Sequence, residues 1–297
     1  MQSIPSQSNS RKILVLDSGV GGLSVCKHIR LRLPDLVLHY FSDNAGFPYG
    51  NKSPQYLQKR LVEIVSRLLT KHNYAAVVIA CNTASTVALP HLREQFDIPF
   101  IGVVPAIKTA ASLSKSRCFA LLATPGTTNR NYTSNLISEF ASGDQVIRIG
   151  SSELVQLIED YLLSGELNKP EIQSTLADLL DHPLRDDIDV VVLGCTHFPL
   201  ITGFLRELQP NWRWIESGPA IAARVETIIM GSAKGEALSL NKDEVPEAPR
   251  SAEQENNPHR FWASSESVGP QYHCSEPFKR FLQELGWNDK ILFLSQA

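Results

Sequence analysis

Short apolar runs alternate with longer amphipathic segments along most of this chain. Runs of valine, isoleucine and leucine that end at turn-forming or polar residues are typical of strands buried on both faces. Between the runs, residues 54–71 place leucine, isoleucine and valine on one helical face and charged side chains on the other. The pattern predicts an α/β fold with mostly parallel sheets. The six predicted strands are KILVLD (12–17), LVLHYFS (36–42), AAVVIAC (75–81), IPFIGVV (98–104), CFALLAT (118–124) and DVVVLGC (189–195).

The same pattern indicates a weak internal duplication. The runs that end at Cys81 and Cys195 both continue into polar residues and then into a helical pattern, at residues 84–96 and 200–208. Further on, residues 232–258 are polar and rich in proline and alanine, which predicts an exposed excursion. We expect order to return with HRFWASS, with an amphipathic helix at residues 276–285 and with KILFLS.

Composition narrows the class of protein. The 297 residues fit one large α/β domain or two of about 100–150 residues each. Because 28 Lys and Arg face 31 Asp and Glu, the net charge of −3 gives no reason to expect nucleic acid. No apolar run approaches the roughly 18–20 residues of a membrane helix, and residues 1–11 read as a short disordered tail and not as a signal peptide.

Cysteine usage points to a reducing compartment. The five cysteines are an odd number in a chain without an export signal, which favours reduced thiols in the cytoplasm. No C-x-x-C pair is present, so the usual signatures of a thioredoxin-type motif and of a zinc ribbon are missing. Cys26 and Cys118 lie in apolar patterns and are expected to act as small buried hydrophobic residues.

Ligands of open α/β sheets bind beyond the carboxyl ends of the strands, so the residues there carry the functional argument. The first strand is followed by DSGVGGLS, in which GVGGLS nearly matches a dinucleotide fingerprint. A phosphate site at a helix start and a tight turn that needs small residues both fit it, and we favour the tight turn. The second strand leads into SDNAGFPYGNKSP, a stretch of turn formers with an aromatic residue.

The two remaining strand ends carry thiols with polar neighbours. Asn82 and Thr83 follow Cys81, while Thr196 and His197 follow Cys195. A helix start beside a cysteine supplies N–H donors that lower the thiol pKa from about 8.5, so we expect activated thiols at both places. His197 is placed to orient or protonate the second thiol.

Several chemistries could use these thiols. A zinc site would have three ligands at most in an unusual spacing. A Cys–His acyl-transfer nucleophile would leave Cys81 and its neighbours without a role, and a disulfide switch would not need the flanking polar residues. Inversion of a stereocentre uses all of them, because one thiol removes a proton from one face of an α-carbon and the other delivers a proton to the opposite face. Such a site needs no cofactor and no metal if it stabilises the carbanion electrostatically.

The ordered motifs identify a resemblance. LDSGVGGLSV, DNAGFPYGNKSP, IACNTAS, IGVVPA and LGCTHFPL together resemble the glutamate racemases of bacterial cell-wall synthesis, a cofactor-independent family, and most closely its proteobacterial type. The resemblance runs from about residue 12 to residue 229 and is weaker beyond. Asn44 and Gly46 depart from the commoner DTAR-x-PYG form of the second motif, as in other proteobacterial sequences.

The resemblance implies two pseudo-symmetric, doubly wound α/β domains with the active site in the cleft between them. The first domain would comprise residues 12–104 and, by a C-terminal return, residues 217–297. The second would comprise residues 105–216. The implied activity is interconversion of L-glutamate and D-glutamate by two thiols, which supplies D-glutamate for peptidoglycan. The family also contains aspartate racemases, which remain an alternative substrate class.

The site residues are carried over by motif. Cys81 and Cys195 would be the acid/base thiols, assisted by Asp17 and His197, with Glu159 or the nearby Glu153 as a further helper. The implied substrate-binding residues are Asp17, Ser18, Tyr49, Gly50, Asn82, Thr83, Thr124, Thr127, Thr196 and His197.

The sequence leaves other functions and partners undecided. A non-catalytic module that binds an amino acid or a nucleotide through GVGGLS would bind without turnover. A pyridoxal phosphate enzyme would need a Schiff-base lysine, and we expect no bound cofactor. Some relatives are activated by a muramoyl peptidoglycan precursor and many form homodimers, and the sequence does not decide either property here.

Overall fold

The computed structural model of the chain describes residues 12–231, 260–264, 276–285 and 291–293. The expected tail at residues 1–11 and the expected excursion at residues 232–258 lie outside these ranges. In the described part of the chain, no helix is at once long enough and apolar enough to span a membrane.

Strands and helices alternate, and every strand pairing is parallel. The α/β fold with parallel sheets is therefore confirmed. The strands of the described ranges are β1 (Lys12–Asp17), β2 (Val37–Ser42), β3 (Ala76–Ile79), β4 (Phe100–Gly102), β5 (Cys118–Ala123), β6 (Gln145–Gly150), β7 (Val190–Leu193), β8 (Arg213–Ile215), β9 (Arg260–Ala263) and β10 (Ile291–Phe293).

The helices follow the strands at short intervals. Within the described ranges, three short 3₁₀ turns add to them, at Tyr49–Asn51, Arg185–Asp187 and Phe198–Ile201. The α-helices are α1 (Leu23–Arg32), α2 (Pro54–Lys71), α3 (Asn82–Gln95), α4 (Ile107–Leu113), α5 (Pro125–Thr128), α6 (Asn131–Phe140), α7 (Glu153–Ser164), α8 (Lys169–Thr175), α9 (Ala177–Leu180), α10 (Thr202–Leu208), α11 (Gly218–Met230) and α12 (Glu276–Glu284).

Two sheets with the same strand order account for the duplication. The first sheet has the order β10-β9-β2-β1-β3-β4, and the second has the order β6-β5-β7-β8. The order β2-β1-β3-β4 is thus repeated as β6-β5-β7-β8, and the two C-terminal strands β9 and β10 extend the first sheet beyond β2. Cys81 and Cys195 each lie two residues after the third strand of their repeat. The two thiols therefore hold equivalent positions in the two repeats.

Both faces of each sheet are buried, as the continuous apolar strands predict. In β1, Ile13 and Val15 pack into one core cluster while Leu14 and Leu16 pack into the cluster on the other face. The strand β7 divides in the same way, with alternate residues in two clusters of the second sheet. Each fully buried aliphatic side chain contributes roughly 1.5–3 kcal/mol to folding.

The two edge strands of the second sheet, β6 and β8, were not predicted from the sequence pattern. In β6 only Ile147 and Ile149 are buried, and polar residues alternate with them. In β8 one residue of three is buried. Because these two edge strands are partly exposed, their sequences lack the continuous apolar run from which the six other strands were predicted.

The chain passes between the two sheets at two neighbouring points. The hydroxyl of Ser217 donates a hydrogen bond to the carbonyl oxygen of Val104 at 2.6 Å. After this point α11 packs with α1 in the core of the first sheet. At the surface of these two helices, Arg32 and Glu226 form a partly exposed ion pair at 2.6 Å. The limits of the two domains at residues 104 and 216 stay a prediction, and these contacts lie at those limits.

Candidate active site

A narrow cavity lies between the carboxyl ends of the strands of the two sheets. It is lined from the first sheet by residues after β1, β2 and β3, and from the second by residues after β5, β6 and β7. None of the described lining residues is a lysine or an arginine. The residues predicted from the sequence that line it are Asp17, Ser18, Tyr49, Gly50, Cys81, Asn82, Thr83, Thr124, Thr127, Cys195, Thr196 and His197.

Cys81 lies at the N-cap of α3 and is 8% exposed. Burial raises the pKa of its thiol well above the ordinary value, and the negative charge of Asp17 raises it further. The backbone N–H of Ala84 acts in the opposite direction, as expected for a helix start, but its effect is smaller. The helix start thus acts in the expected direction, but the expectation that Cys81 would have a lowered pKa overall is wrong, because burial beside a carboxylate outweighs the helix start. Cys81 rests as a thiol.

Cys195 has a different neighbour. Its sulfur lies 3.8 Å from Nδ1 of His197, and the other ring nitrogen, Nε2, lies 2.7 Å from Oε2 of Glu159. Burial lowers the pKa of His197, but hydrogen bonds to Cys195 and Glu159 together raise it well above the ordinary value. An imidazolium donates at both nitrogens, so His197 can donate to Cys195 and to Glu159 at the same time.

Glu159 reaches the cavity through His197. It is 3% exposed, and its Oε2 atom also accepts a hydrogen bond from the backbone N–H of Val20 at 3.0 Å. Glu153, the other candidate for this position, is exposed on the first turn of the same helix, α7. The structure therefore places Glu159 beside His197, whereas Glu153 is exposed and does not line the cavity.

Asp17 links the two sheets across the cavity. Its Oδ1 accepts from the backbone N–H of Ser18 at 2.6 Å, and its Oδ2 accepts from the hydroxyl of Thr196 at 2.9 Å. Complete burial raises the pKa of Asp17 from 3.8 to about 6, although the charge of His197 and these hydrogen bonds oppose the increase. The carboxyl of Asp17 is therefore ionised at neutral pH, yet its pKa is close enough to pH 7 for it to exchange a proton.

The glycines of GVGGLS serve close packing of this loop against the second sheet's residues. A β-carbon on Gly19 would lie 2.7 Å from Oε2 of Glu159. One on Gly21 would lie 2.6 Å from Cε1 of His197 and 2.7 Å from the hydroxyl oxygen of Thr196. The motif is thus explained by the approach of Glu159 and His197, which agrees with the tight turn that we favoured over a phosphate site.

A cluster of three threonine hydroxyls forms another part of the wall. The Oγ1 atom of Thr83 lies 3.0 Å from that of Thr124 and 3.4 Å from that of Thr127, and the last two are 3.1 Å apart. Beside them, Oδ1 of Asn82 is buried without a hydrogen-bond partner. A buried acceptor without a partner is costly, so the arrangement favours a ligand that brings a donor such as an ammonium group.

Tyr49 and Gly50 lie on the loop between β2 and α2. The Tyr49 hydroxyl donates to Oδ2 of Asp43 at 2.6 Å. Burial raises the pKa of Tyr49 well above its ordinary value, and the charge of Asp43 raises it further, so the phenol stays protonated. Gly50 packs against the second sheet's residues, since a β-carbon on Gly126 would lie 2.7 Å from its carbonyl oxygen.

Four lining residues were not predicted from the sequence. Gly194 and Pro48 directly precede two predicted residues, so their neighbourhood could have indicated them. Ser152 and Val155 follow β6, the edge strand without a clear pattern, and only its recognition as a strand would have drawn attention to them.

Comparison with known proteins gives a consistent result. Residues 13–225 match the Asp/Glu/Hydantoin racemase family. The chain is 50% identical over 231 residues to a glutamate racemase of Pectobacterium atrosepticum, covering 77% of this chain and 80% of that protein. It is 47% identical to a glutamate racemase of Serratia proteamaculans, with the same coverage of both chains.

Solved structures agree in fold. The Escherichia coli glutamate racemase, crystallised with L-glutamate and the activator UDP-MurNAc-Ala, is 39% identical with a TM-score of 0.78, covering 95% of this chain and 97% of that one. The glutamate racemase RacE1 of Bacillus anthracis is 28% identical with a TM-score of 0.71, covering 95% and 96%.

Proposed function

The chain belongs to the aspartate, glutamate and hydantoin racemase family, and on this basis we propose that it interconverts L-glutamate and D-glutamate by proton transfer between Cys81 and Cys195. One observation carries the proposal. The two thiols hold equivalent places in two repeats, line one cavity, and have separate acid/base neighbours.

The binding of the substrate would rest on neutral donors. Glutamate brings two carboxylates and one ammonium group, and the described lining residues offer hydroxyl and backbone N–H donors in place of lysine or arginine. Threonines 83, 124 and 127 suit one carboxylate. The buried Oδ1 of Asn82 and the carboxylate of Asp17 are acceptors that suit the ammonium group.

The proton transfer itself needs one thiolate and one thiol. In one direction Cys195, as the thiolate stabilised by the His197 imidazolium, removes the α-proton, and the Cys81 thiol delivers a proton to the opposite face. In the other direction Asp17 accepts the proton of Cys81 and the His197 imidazolium gives its proton to Cys195, so that Cys81 becomes the base and Cys195 the acid. The two thiols thus exchange roles, and each direction leaves the protonation state that the reverse direction requires.

The wider setting is also proposed. Several relatives at 46–50% identity are glutamate racemases, which favours glutamate over aspartate as the substrate. D-Glutamate would enter peptidoglycan synthesis and so affect cell shape, and the cysteine composition favours the cytoplasm. A muramoyl nucleotide is proposed as an activator, because the E. coli relative was crystallised with one.

The test uses purified protein in deuterium oxide with L- or D-glutamate and no added cofactor. We expect circular dichroism to decay to zero from either enantiomer while proton NMR shows deuterium at the α-carbon. Exchange with aspartate alone would reassign the substrate. If neither glutamate nor aspartate is racemised, with or without UDP-MurNAc-Ala, the proposed activity is contradicted. Binding of a nucleotide without turnover of either acid would support a non-catalytic binding module. An absorbance scan checks for pyridoxal phosphate.

A further inference from the structure

The loop between β2 and α2 forms one wall of the cavity and contacts both halves of the site. The ring of Phe47 lies 5.8 Å from the ring of His197, centre to centre. Tyr49 lines the cavity, and the negative charge that Cys81 carries as a thiolate is among the causes that raise the pKa of Tyr49. The position of this loop therefore bears on the surroundings of both thiols.

A buried ion pair holds the start of this loop. Asp43 is 0% exposed, and both of its carboxylate oxygens accept from the guanidinium of Arg60, through Nε and Nη2. Oδ2 of the same carboxylate accepts the hydroxyl hydrogen of Tyr49 at 2.6 Å. Arg60 lies on α2, does not line the cavity, and is connected to Tyr49 by hydrogen bonds through Asp43.

Gly46 makes room for this ion pair. A β-carbon at this position would lie 2.7 Å from Nε of Arg60 and closer still to Asp43. Any side chain at position 46 would therefore push the guanidinium away from the carboxylate. The glycine that departs from the commoner motif is thus required by an arginine on another element.

We propose that Arg60 is a positioning residue for the racemisation. Through its bidentate ion pair with Asp43, it fixes the position of Tyr49 and of the loop that lines the cavity. The proposal rests on the proposed function, because its effect is read in the kinetics of glutamate. A positioning role differs from a purely structural one. The guanidinium of Arg60 binds both carboxylate oxygens of Asp43 and so orients the remaining lone pairs of this carboxylate toward the hydroxyl of Tyr49.

The first variant is Arg60→Gln, with Arg67→Gln as the control. Arg67 is exposed on the same helix, so its substitution removes the same charge without touching the loop. We expect Arg60→Gln to raise KM for both enantiomers about tenfold, the size of one charge-assisted hydrogen bond. We expect kcat to change less than about threefold, because the wall contacts substrate and transition state alike.

A second pair of variants separates positioning from folding. Arg60→Lys keeps the charge that buried Asp43 needs but loses the fork, so it should fold and show an intermediate KM. In Tyr49→Phe protein, adding Arg60→Gln should raise KM no further, because the link that transmits its effect is already gone.

The measurements are initial rates for L- and D-glutamate together with thermal unfolding of each variant. KM values of Arg60→Gln and Arg60→Lys within about twofold of Arg67→Gln would overturn the role of Arg60. If Arg60→Gln does not fold, Arg60→Lys decides the question alone. Absence of racemisation in the unaltered chain and in Arg67→Gln would instead contradict the proposed function.

Discussion

Glu159 and His197 form a buried pair, with Oε2 of the glutamate 2.7 Å from Nε2 of the histidine. The two residues come from α7 and from the turn after β7, and the same glutamate oxygen accepts the N–H of Val20 from the first sheet's loop. The pair therefore ties the proton chemistry at Cys195 to the packing between the two sheets.

Glu159→Gln tests this pair. The pKa of His197 is raised, so the stability it contributes is complete below its unfolded pKa near 6.5 and is lost as pH rises through the folded value. We expect the variant to be less stable by about 3 kcal/mol at pH 6, with a smaller difference at higher pH. Urea unfolding across pH measures this, and kcat should fall on the order of tenfold. Glu153→Gln, exposed on the same helix, should match the unaltered protein in both assays.

The two thiols should be individually required. Cys81→Ala and Cys195→Ala should each abolish racemisation, because each direction needs one base and one acid. A serine in either place should permit exchange of the α-proton from one enantiomer only, as followed by proton NMR in deuterium oxide. Cys118→Ala, which removes a buried thiol outside the cavity, serves as the control. Equal residual racemisation in both alanine variants would rule out two separate bases.

The pH dependence should report Asp17. Its folded pKa is about 6 against 3.8 unfolded, so the folded state binds the extra proton between these values. The stability from this group is therefore complete below about pH 4 and falls by about 3 kcal/mol as pH rises to 6 and above. Asp17→Asn should lack this loss, which urea unfolding at pH 4 to 7 can measure.

The same residue should affect the two directions of the reaction unequally. Activity that uses Cys81 as the base should fall below about pH 6, as Asp17 becomes protonated. Asp17→Asn and His197→Asn should each lower turnover more in one direction than in the other, and in opposite senses. Initial rates from L- and D-glutamate provide the comparison. Identical losses in both directions would count against the separate pairing of each helper with one thiol.

Gly21→Ala tests the close approach of the glycine loop. The new methyl group would meet His197 and Thr196 at less than 3 Å, so we expect a loss of roughly 1–3 kcal/mol and strongly reduced kcat. The matched control is Gly203→Ala in α10, where a β-carbon meets nothing within 4 Å. That change should stabilise the protein by roughly 0.5–1 kcal/mol. Unchanged racemisation by Gly21→Ala would show that the loop yields without displacing His197.

Much of the architecture could be read from local sequence. The central strands are buried on both faces, so β1 and β7 appear as continuous apolar runs that end where the polar site residues begin. The helix at residues 54–71 follows from its apolar face and from Ser53, which caps it by accepting from the N–H of Tyr56 at 3.2 Å. Local patterns of this kind also located Cys81 and Cys195, because both follow such runs directly.

Only the tertiary structure decided the electrostatics and the partners. Nothing local separates Glu159 from Glu153, since the choice depends on which face of α7 meets His197 across the fold. The raised pKa of Cys81 depends on burial beside Asp17, a contact between residues far apart in the chain. The ion pair between Arg60 and Asp43 is likewise a tertiary contact. In the sequence, Arg60 lies on the charged face of its helix, where side chains are expected to be solvated. Sequence fixes which residues are available at strand ends, while burial and distance, which set the energies of charges and protons, arise only when the elements pack.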